Sequence, residues 1–166
     1  AYEAENWQGV DEALDGYDLT NLPEDYQEMQ GWYDEACFEA GEALYNEGKP
    51  FEALPYYQRI ADLPAVADTV LKRPVYLILG TWKGNDMTAV FSPDGTYTIA
   101  DAAGYFSVKD QTLLTGETAD PLAAEYRIAL LTDTELTLTS IKGSDIAYAF
   151  TRAQTAGGTD DTGSAQ

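Results

Sequence analysis

Two short runs of alternating apolar and polar residues flank a Pro-Asp-Gly turn within residues 80–100. The runs cover residues 87–91 and 96–99, and a period of two places alternate side chains on opposite faces of a β-strand. Proline presets one backbone angle of a turn, and glycine accepts angles that other residues avoid. This stretch therefore predicts a β-hairpin, and it limits what the rest of the chain can form.

Further short alternating segments follow the hairpin and predict more strands, with turns between them at nearly even spacing. The predicted strands cover residues 80–84, 86–92, 96–101, 104–109, 112–116, 123–131, 135–141 and 145–152. Such a series is typical of an antiparallel meander that closes into a barrel or a strongly curved sheet.

The alternation also predicts which side chains point into this barrel. The inward set is Phe91, Tyr97, Ile99, Phe106, Val108, Tyr126, Ile128, Leu130, Leu136, Leu138, Ile146, Tyr148 and Phe150. Eight strands leave room for side chains or for one small ligand. These bulky residues favour a filled interior, and a cavity for a small ligand is the alternative.

Apolar residues before the hairpin recur at spacings of three and four, which predicts helices. The helices are expected at residues 23–47, 50–61 and 65–73, with a kink or a late start in the second because of Pro55. Residues 75–79 are expected to lead into the first strand. Residues 1–20 fit either a short amphipathic helix or a frayed end.

The predicted fold class is therefore α+β, with helices first and strands second. The predicted parts are a helical region at 1–76, a barrel at 77–152 and a disordered tail at 153–166. An apolar connection joins the first two parts, so we expect them to be docked without a flexible linker.

Residues 37–64 resemble a single tetratricopeptide-type repeat, which is a hairpin of two helices. The matching positions are Gly41, Gly48, Ala53, Tyr57 and Pro64. The resemblance implies that Gly41 and Ala53 lie where the helices cross and that Gly48 lies in the turn. Cys37 stands where the repeat usually has a large aromatic residue, and a second full repeat is missing, so this hairpin must pack on another part of the chain.

Gly80-Thr81-Trp82 resembles the Gly-x-Trp opening of lipocalin-like (calycin-type) barrels, and the pattern is similar to that of bacterial lipocalin-like domains. In that family an arginine near the end of the last strand lies across this tryptophan. Arg152 stands at the matching position. The resemblance therefore implies that Arg152 stacks on Trp82 beside Gly80, in a structural role.

Charge and composition exclude several classes of function. The net charge is −20, and residues 1–48 contain 14 acidic residues and no Lys or Arg. Such a surface repels nucleic acid and anionic membranes, and it favours cations or basic proteins. No apolar run is long enough to span a membrane. The chain has no histidine, and its single cysteine, Cys37, lies in an apolar helical pattern. We therefore predict no catalytic residues, no metal site and no cofactor.

The sequence favours two functional hypotheses over a third, a carbohydrate-active enzyme. The first is a non-enzymatic binding module of the cell envelope or extracellular space, bound to a small apolar ligand or a protein. The start at Ala1 rather than Met, the acidity and the Gly/Thr/Asp-rich tail favour this location. The second is an interaction scaffold whose acidic helical face binds a basic segment of a partner. The oligomeric state stays open.

Overall fold

The computed structural model describes residues 27–84, 86–142 and 146–153. The prediction for residues 1–20 lies outside these ranges, as does the expected start of the next helix at residue 23. The predicted tail also lies outside them, apart from its first residue.

The first described helix, α1 (Gln27–Asn46), buries one face formed by Ala36, Cys37, Ala40 and Leu44. Gly48 follows it with a φ of +79°. The Gly48 amide donates to the Tyr45 carbonyl, and the next amide, of Lys49, donates to the Leu44 carbonyl, which is a Schellman turn. The predicted helix end at Gly48 is therefore explained by a left-handed conformation that glycine accepts readily.

The second helix, α2 (Pro50–Arg59), begins with a proline, as suits a first helical position. It runs through Pro55, so the late start that the sequence allowed does not occur. It packs against α1 through Tyr57, which is fully buried. A β-carbon at Gly41 would lie 2.6 Å from the Tyr57 ring, so this glycine lets the two helices approach. Ala53 is also fully buried.

The single helix predicted at residues 65–73 is wrong. The segment forms α3 (Pro64–Ala67), a 3₁₀ turn (Val70–Lys72) and α4 (Pro74–Leu77). Each proline starts a new turn, and Arg73 before Pro74 has an extended ψ of 139°, as residues before proline prefer. Residues 75–79 lead into the first strand, β1, as expected, but because Pro74 starts a helix the first three of them are helical.

Eight strands among the described residues form a closed antiparallel barrel, with each strand beside its neighbour in sequence. They are β1 (Gly80–Lys83), β2 (Thr88–Phe91), β3 (Thr96–Ile99), β4 (Ala102–Lys109), β5 (Thr112–Gly116), β6 (Ala123–Leu131), β7 (Glu135–Ser140) and β8 (Ala147–Arg152). The α+β class and the meander order predicted from the sequence are confirmed.

Most of the predicted inward residues pack in the barrel core. Phe91, Phe106, Ile128, Leu136, Leu138 and Phe150 are buried, and Tyr97, Ile99, Val108, Tyr126 and Tyr148 are half-buried against them. Ile78, Trp82, Ala89 and Leu113 complete this core, although the inward set omitted them.

Two members of the predicted inward set, Leu130 and Ile146, are exposed. The register of β6 against β7 shifts between Ile128 and Leu130. This irregularity reverses the alternation, so that Leu130 points outward and Leu131 packs on the core instead. Ile146 lies just before β8, beyond the end of the strand pairing.

Arg152 and Trp82 join the barrel to the helices. The Arg152 Cζ atom lies 4.1 Å from the centroid of the Trp82 ring, so the stacked pair implied by the family resemblance is present. The guanidinium donates to the carbonyls of Leu77, Leu79 and Asp133, each at 2.6 Å. The Trp82 indole donates to the Ile78 carbonyl at 2.7 Å. The carbonyls that end α4 are thus satisfied by side chains of the barrel.

Gly80 is required beside this arginine. Its φ is +115°, and a β-carbon there would lie 2.8 Å from Arg152 Nη1. The first glycine of the Gly-Thr-Trp motif therefore leaves room for the guanidinium.

Aromatic side chains form a second junction between the helices and the barrel. Phe51 of α2 meets Phe106 of β4 edge to face at 5.2 Å, and Phe106 meets Phe91 in the same way at 5.0 Å. Phe51 packs against both the helical core and the barrel core. The docking expected from the apolar connection is thus made by side-chain contacts.

We predict that Arg152→Ala lowers the free energy of unfolding by about 3 kcal/mol, because three carbonyls lose a charged donor. Arg127→Ala is the matched control, since Arg127 is exposed on β6, and it should change stability by less than about 0.5 kcal/mol. Urea unfolding, monitored by tryptophan emission, measures the free energy of unfolding of both variants. Equal stabilities of the two variants would contradict the bridging role of Arg152.

Because of the register shift in β6, we predict that Leu138→Ala and Leu130→Ala differ in their effect on stability. Leu138→Ala should cost about 3 kcal/mol because it opens a cavity in the barrel core, whereas Leu130→Ala should cost less than about 1 kcal/mol. Thermal and urea unfolding of the two variants test this difference. A large loss from Leu130→Ala would show that Leu130 points inward and that the shift is absent.

Candidate functional site

A small depression lies in the barrel interior, at the end away from the helices. Its volume is about 160 Å³. The lining side chains are Met87, Ile99, Ala100, Tyr126, Leu138, Tyr148 and Phe150. Ligand pockets for drug-sized molecules are usually about 300–1,000 Å³, so this depression is too small for such a ligand.

A larger groove lies where α2 meets the barrel, and we call it the seam groove. Its volume is about 630 Å³, within the range of ligand sites. The lining residues are Gly48, Lys49, Pro50, Phe51, Glu52, Asp94, Gly95, Tyr105, Phe106, Ser107, Leu114, Ala119, Asp120 and Leu122. The helical hairpin, the β2–β3 turn, strands β4 and β5, and the β5–β6 connection all contribute to it.

The β2–β3 turn forms part of the wall of the seam groove. The Asp94 carboxylate accepts hydrogen bonds from the Thr96 amide and hydroxyl, at 3.0 and 2.6 Å, which holds the turn closed. Gly95 follows with a φ of +82° and its carbonyl accepts from the Phe106 amide at 2.8 Å. A β-carbon at Gly95 would lie 2.8 Å from the Phe51 ring, so the absence of a side chain lets α2 reach the barrel.

Alternation along β4 gives the seam groove a fixed base and an exposed ring. Phe106 points inward and is buried, and its contact with Phe51 fixes both rings. Tyr105, its neighbour, points outward and is 39% exposed. The groove therefore presents one accessible aromatic ring beside two that are packed in place.

The charged residues of the seam groove are mostly acidic. Glu52, Asp94 and Asp120 contribute three carboxylates from three different elements. Hydrogen bonds from Thr96 hold the pKa of Asp94 below its ordinary value, so this group stays ionised at neutral pH. The only lining cation, Lys49, forms an ion pair with Glu47 at 2.7 Å. The groove thus carries a negative excess.

A second polar cluster lies within the helical region and serves packing. Arg73 forms an ion pair with Glu42 at 2.7 Å and lies over the Tyr45 ring at 4.1 Å. The Tyr57 hydroxyl donates to Glu42 at 2.5 Å. Burial is the main reason that the pKa of Tyr57 lies well above its ordinary range, and this hydrogen bond is the second. These groups satisfy one another, so the cluster ties α1, α2 and the segment before α4 together.

The structural residues named from the sequence fall in three places. Gly80, Trp82 and Arg152 lie together at the helix end of the barrel. Gly41 lies against Tyr57 between α1 and α2, and Ala53 is buried in the helical core. Gly48, in the α1–α2 turn, also lines the seam groove.

Phe51, Tyr105 and Asp120 line the seam groove but were not predicted from the sequence to form part of a site. The Asp-Gly turn and the Tyr-Phe pair in β4 were available as local signals. Their meeting with α2 depends on how the two parts of the chain dock.

Within residues 27–153, apart from the short undescribed gaps, no three or more acidic or cysteine side chains are grouped to hold a metal ion. None of the helices described is long and apolar enough to cross a membrane. No protein-family model, curated protein or solved structure matches the chain.

Because Gly95 lies against Phe51, we predict that Gly95→Ala destabilises the protein more than Gly48→Ala does. Gly48→Ala should cost about 1 kcal/mol, because Gly48 has a positive φ but no atom within 4 Å of a new β-carbon. Gly95→Ala has the same backbone strain and also displaces Phe51, so it should cost about 2–3 kcal/mol. Urea unfolding of both variants measures the difference. Equal costs would show that Phe51 does not press on the turn.

Proposed function

We propose that this protein is a non-enzymatic binding module of the cell envelope or extracellular space that binds a protein segment in the seam groove. The observation that carries the proposal is the groove itself, a concavity of about 630 Å³ with an exposed aromatic ring beside a fixed aromatic base. Accessible tyrosines beside a packed support are frequent anchors in protein recognition.

The resemblance to lipocalin-like barrels supports part of this proposal. Gly80, Trp82 and Arg152 make the contacts that the resemblance implies, so we propose that the barrel is lipocalin-like and that the helices before it are tetratricopeptide-like. Its interior differs from a deep ligand cup, since aromatic and aliphatic side chains fill it. This difference favours binding outside the barrel. The proposed envelope or extracellular location rests on the acidity of the chain and on its Gly/Thr/Asp-rich final residues.

A non-enzymatic role is supported by the chemistry that the chain offers. Histidine is absent, and the one cysteine is fully buried in the helical core. Asp94 and Asp133 have pKa values below the ordinary value, because of hydrogen bonds from Thr96 and Lys72 respectively. A general acid needs a shift in the opposite direction.

A second candidate function is the binding of a small apolar molecule at the open end of the barrel. Tyr126 and Tyr148 meet edge to face at 6.1 Å beside Met87, and this lining is mostly apolar. A cavity of about 150 Å³ accepts a molecule the size of benzene, so only a small ring or short chain would fit here.

The direct test is selection of binders from an unbiased displayed library of short peptides on the full chain. We expect selected peptides to lose affinity about tenfold or more on Tyr105→Ala, because a central aromatic anchor is removed. Trp32→Ala is the matched control, since Trp32 is an exposed aromatic residue on α1. Fluorescence anisotropy with labelled peptides measures both affinities.

Two outcomes would overturn the proposal. Loss of affinity on Trp32→Ala but not on Tyr105→Ala would move the site to the helical face, as the scaffold hypothesis requires. Failure to select any peptide above the background of Tyr105→Ala would remove the seam groove as a peptide site.

A further inference from the structure

We infer that the seam groove recognises a basic segment of a partner protein, one that carries lysine or arginine side chains. This inference rests on the proposed function and names the chemical class of its ligand. The evidence for a binding site is the seam groove with its exposed Tyr105 ring, and the evidence for a basic ligand is the set of carboxylates around that ring.

The charges of the groove come from separate walls. Glu52 lies in the first turn of α2, Asp94 in the β2–β3 turn and Asp120 in the β5–β6 connection. A segment lying in the groove therefore meets carboxylates from three elements. The Lys49 ammonium is paired with Glu47 and also interacts with Glu52, so it offsets part of the negative charge of this wall and leaves the carboxylates in excess.

Tyr105 adds a second feature that suits a cation. Its ring is accessible, and a guanidinium or ammonium group over an aromatic face gains a favourable interaction with the π-electrons. Carboxylates beside such a ring provide hydrogen-bond acceptors for the same cation. An acidic or phosphorylated segment would instead meet like charge in the groove.

The apolar lining suits a peptide better than a free polyamine. Phe51, Leu114 and Leu122 provide apolar contact surface next to the carboxylates. A polyamine has no side chains to bury there, whereas a peptide can place an apolar residue beside a basic one. The combination of apolar and acidic lining residues therefore favours a protein segment over a polyamine as the ligand.

Binding of a basic peptide by charge attraction does not by itself show that the peptide lies in the seam groove, because the whole chain carries a net charge of −20. Any basic peptide will associate weakly with such a surface at low salt. The test must therefore separate attraction to the groove from attraction to the acidic surface as a whole.

The experiment uses three labelled pools of short peptides that share their random positions and differ only at fixed positions. These positions hold Lys or Arg in the first pool, Gln in the second pool and Glu in the third. Fluorescence anisotropy is recorded with the full chain at about 0.15 M and about 0.5 M salt. The groove variants are Tyr105→Ala and Glu52→Gln/Asp120→Asn. The matched control, Glu35→Gln/Glu39→Gln, removes the same charge from exposed positions on α1.

We expect the basic pool to bind the wild-type chain best. Neutralising Glu52 and Asp120 should weaken that binding roughly three- to tenfold, and Tyr105→Ala should weaken it by a similar factor. The α1 control should change affinity by less than about twofold. Raising the salt should weaken binding to the wild type more than to the neutralised variant. Spermidine should compete poorly.

The remaining outcomes overturn the inference in distinguishable ways. If the Gln pool binds as tightly as the basic pool and Tyr105→Ala removes it, the groove binds peptides but does not select charge. If the α1 control weakens binding as much as the groove variants, the attraction is diffuse. If spermidine binds as tightly as the basic pool, the ligand is a free polyamine. If no pool binds, both the inference and the proposed function fail.

Discussion

The Arg152 guanidinium is the contact on which the arrangement of the helices and the barrel depends. It lies across the Trp82 ring at the point where β8 meets β1, and it donates to the carbonyls of Leu77 and Leu79. β1 and β8 pair at Trp82–Arg152 and Lys83–Thr151, and the Ala153 amide donates to the Thr81 carbonyl at 2.8 Å, so the strand pairing that closes the barrel is short. One side chain thereby reinforces the closure and satisfies the end of α4, which explains why Gly80 must leave space beside it.

The seam groove is a consequence of this docking. Once α4 is held at the barrel end, α2 lies beside the β2–β3 turn, where Phe51 packs against Gly95 and Phe106. The concavity then forms from surfaces that belong to different parts of the chain, and neither part provides it alone. A filled barrel and an external groove together shift the binding surface from the barrel interior to the junction with the helices.

The sequence predicted the parts of this fold that depend on local patterns. Period-two alternation identified the strands, and Gly48 marked the end of α1 because a Schellman turn needs a residue that accepts a positive φ. The stacking of Arg152 on Trp82 came only from the family resemblance, since no local pattern places a strand end against a strand start. Residues 128–131 are all apolar, so alternation could not reveal the register shift that exposes Leu130.

Native-state hydrogen exchange tests most directly whether the helices and the barrel form one cooperative unit. We expect the amides of Tyr57 in α2 and Leu138 in β7 to open with free energies within about 1 kcal/mol of each other, because both require the whole structure to unfold. Exchange of the α2 amides at a free energy several kcal/mol below that of the barrel would contradict the account. The helices would then open independently, and the seam groove would not be a preformed site.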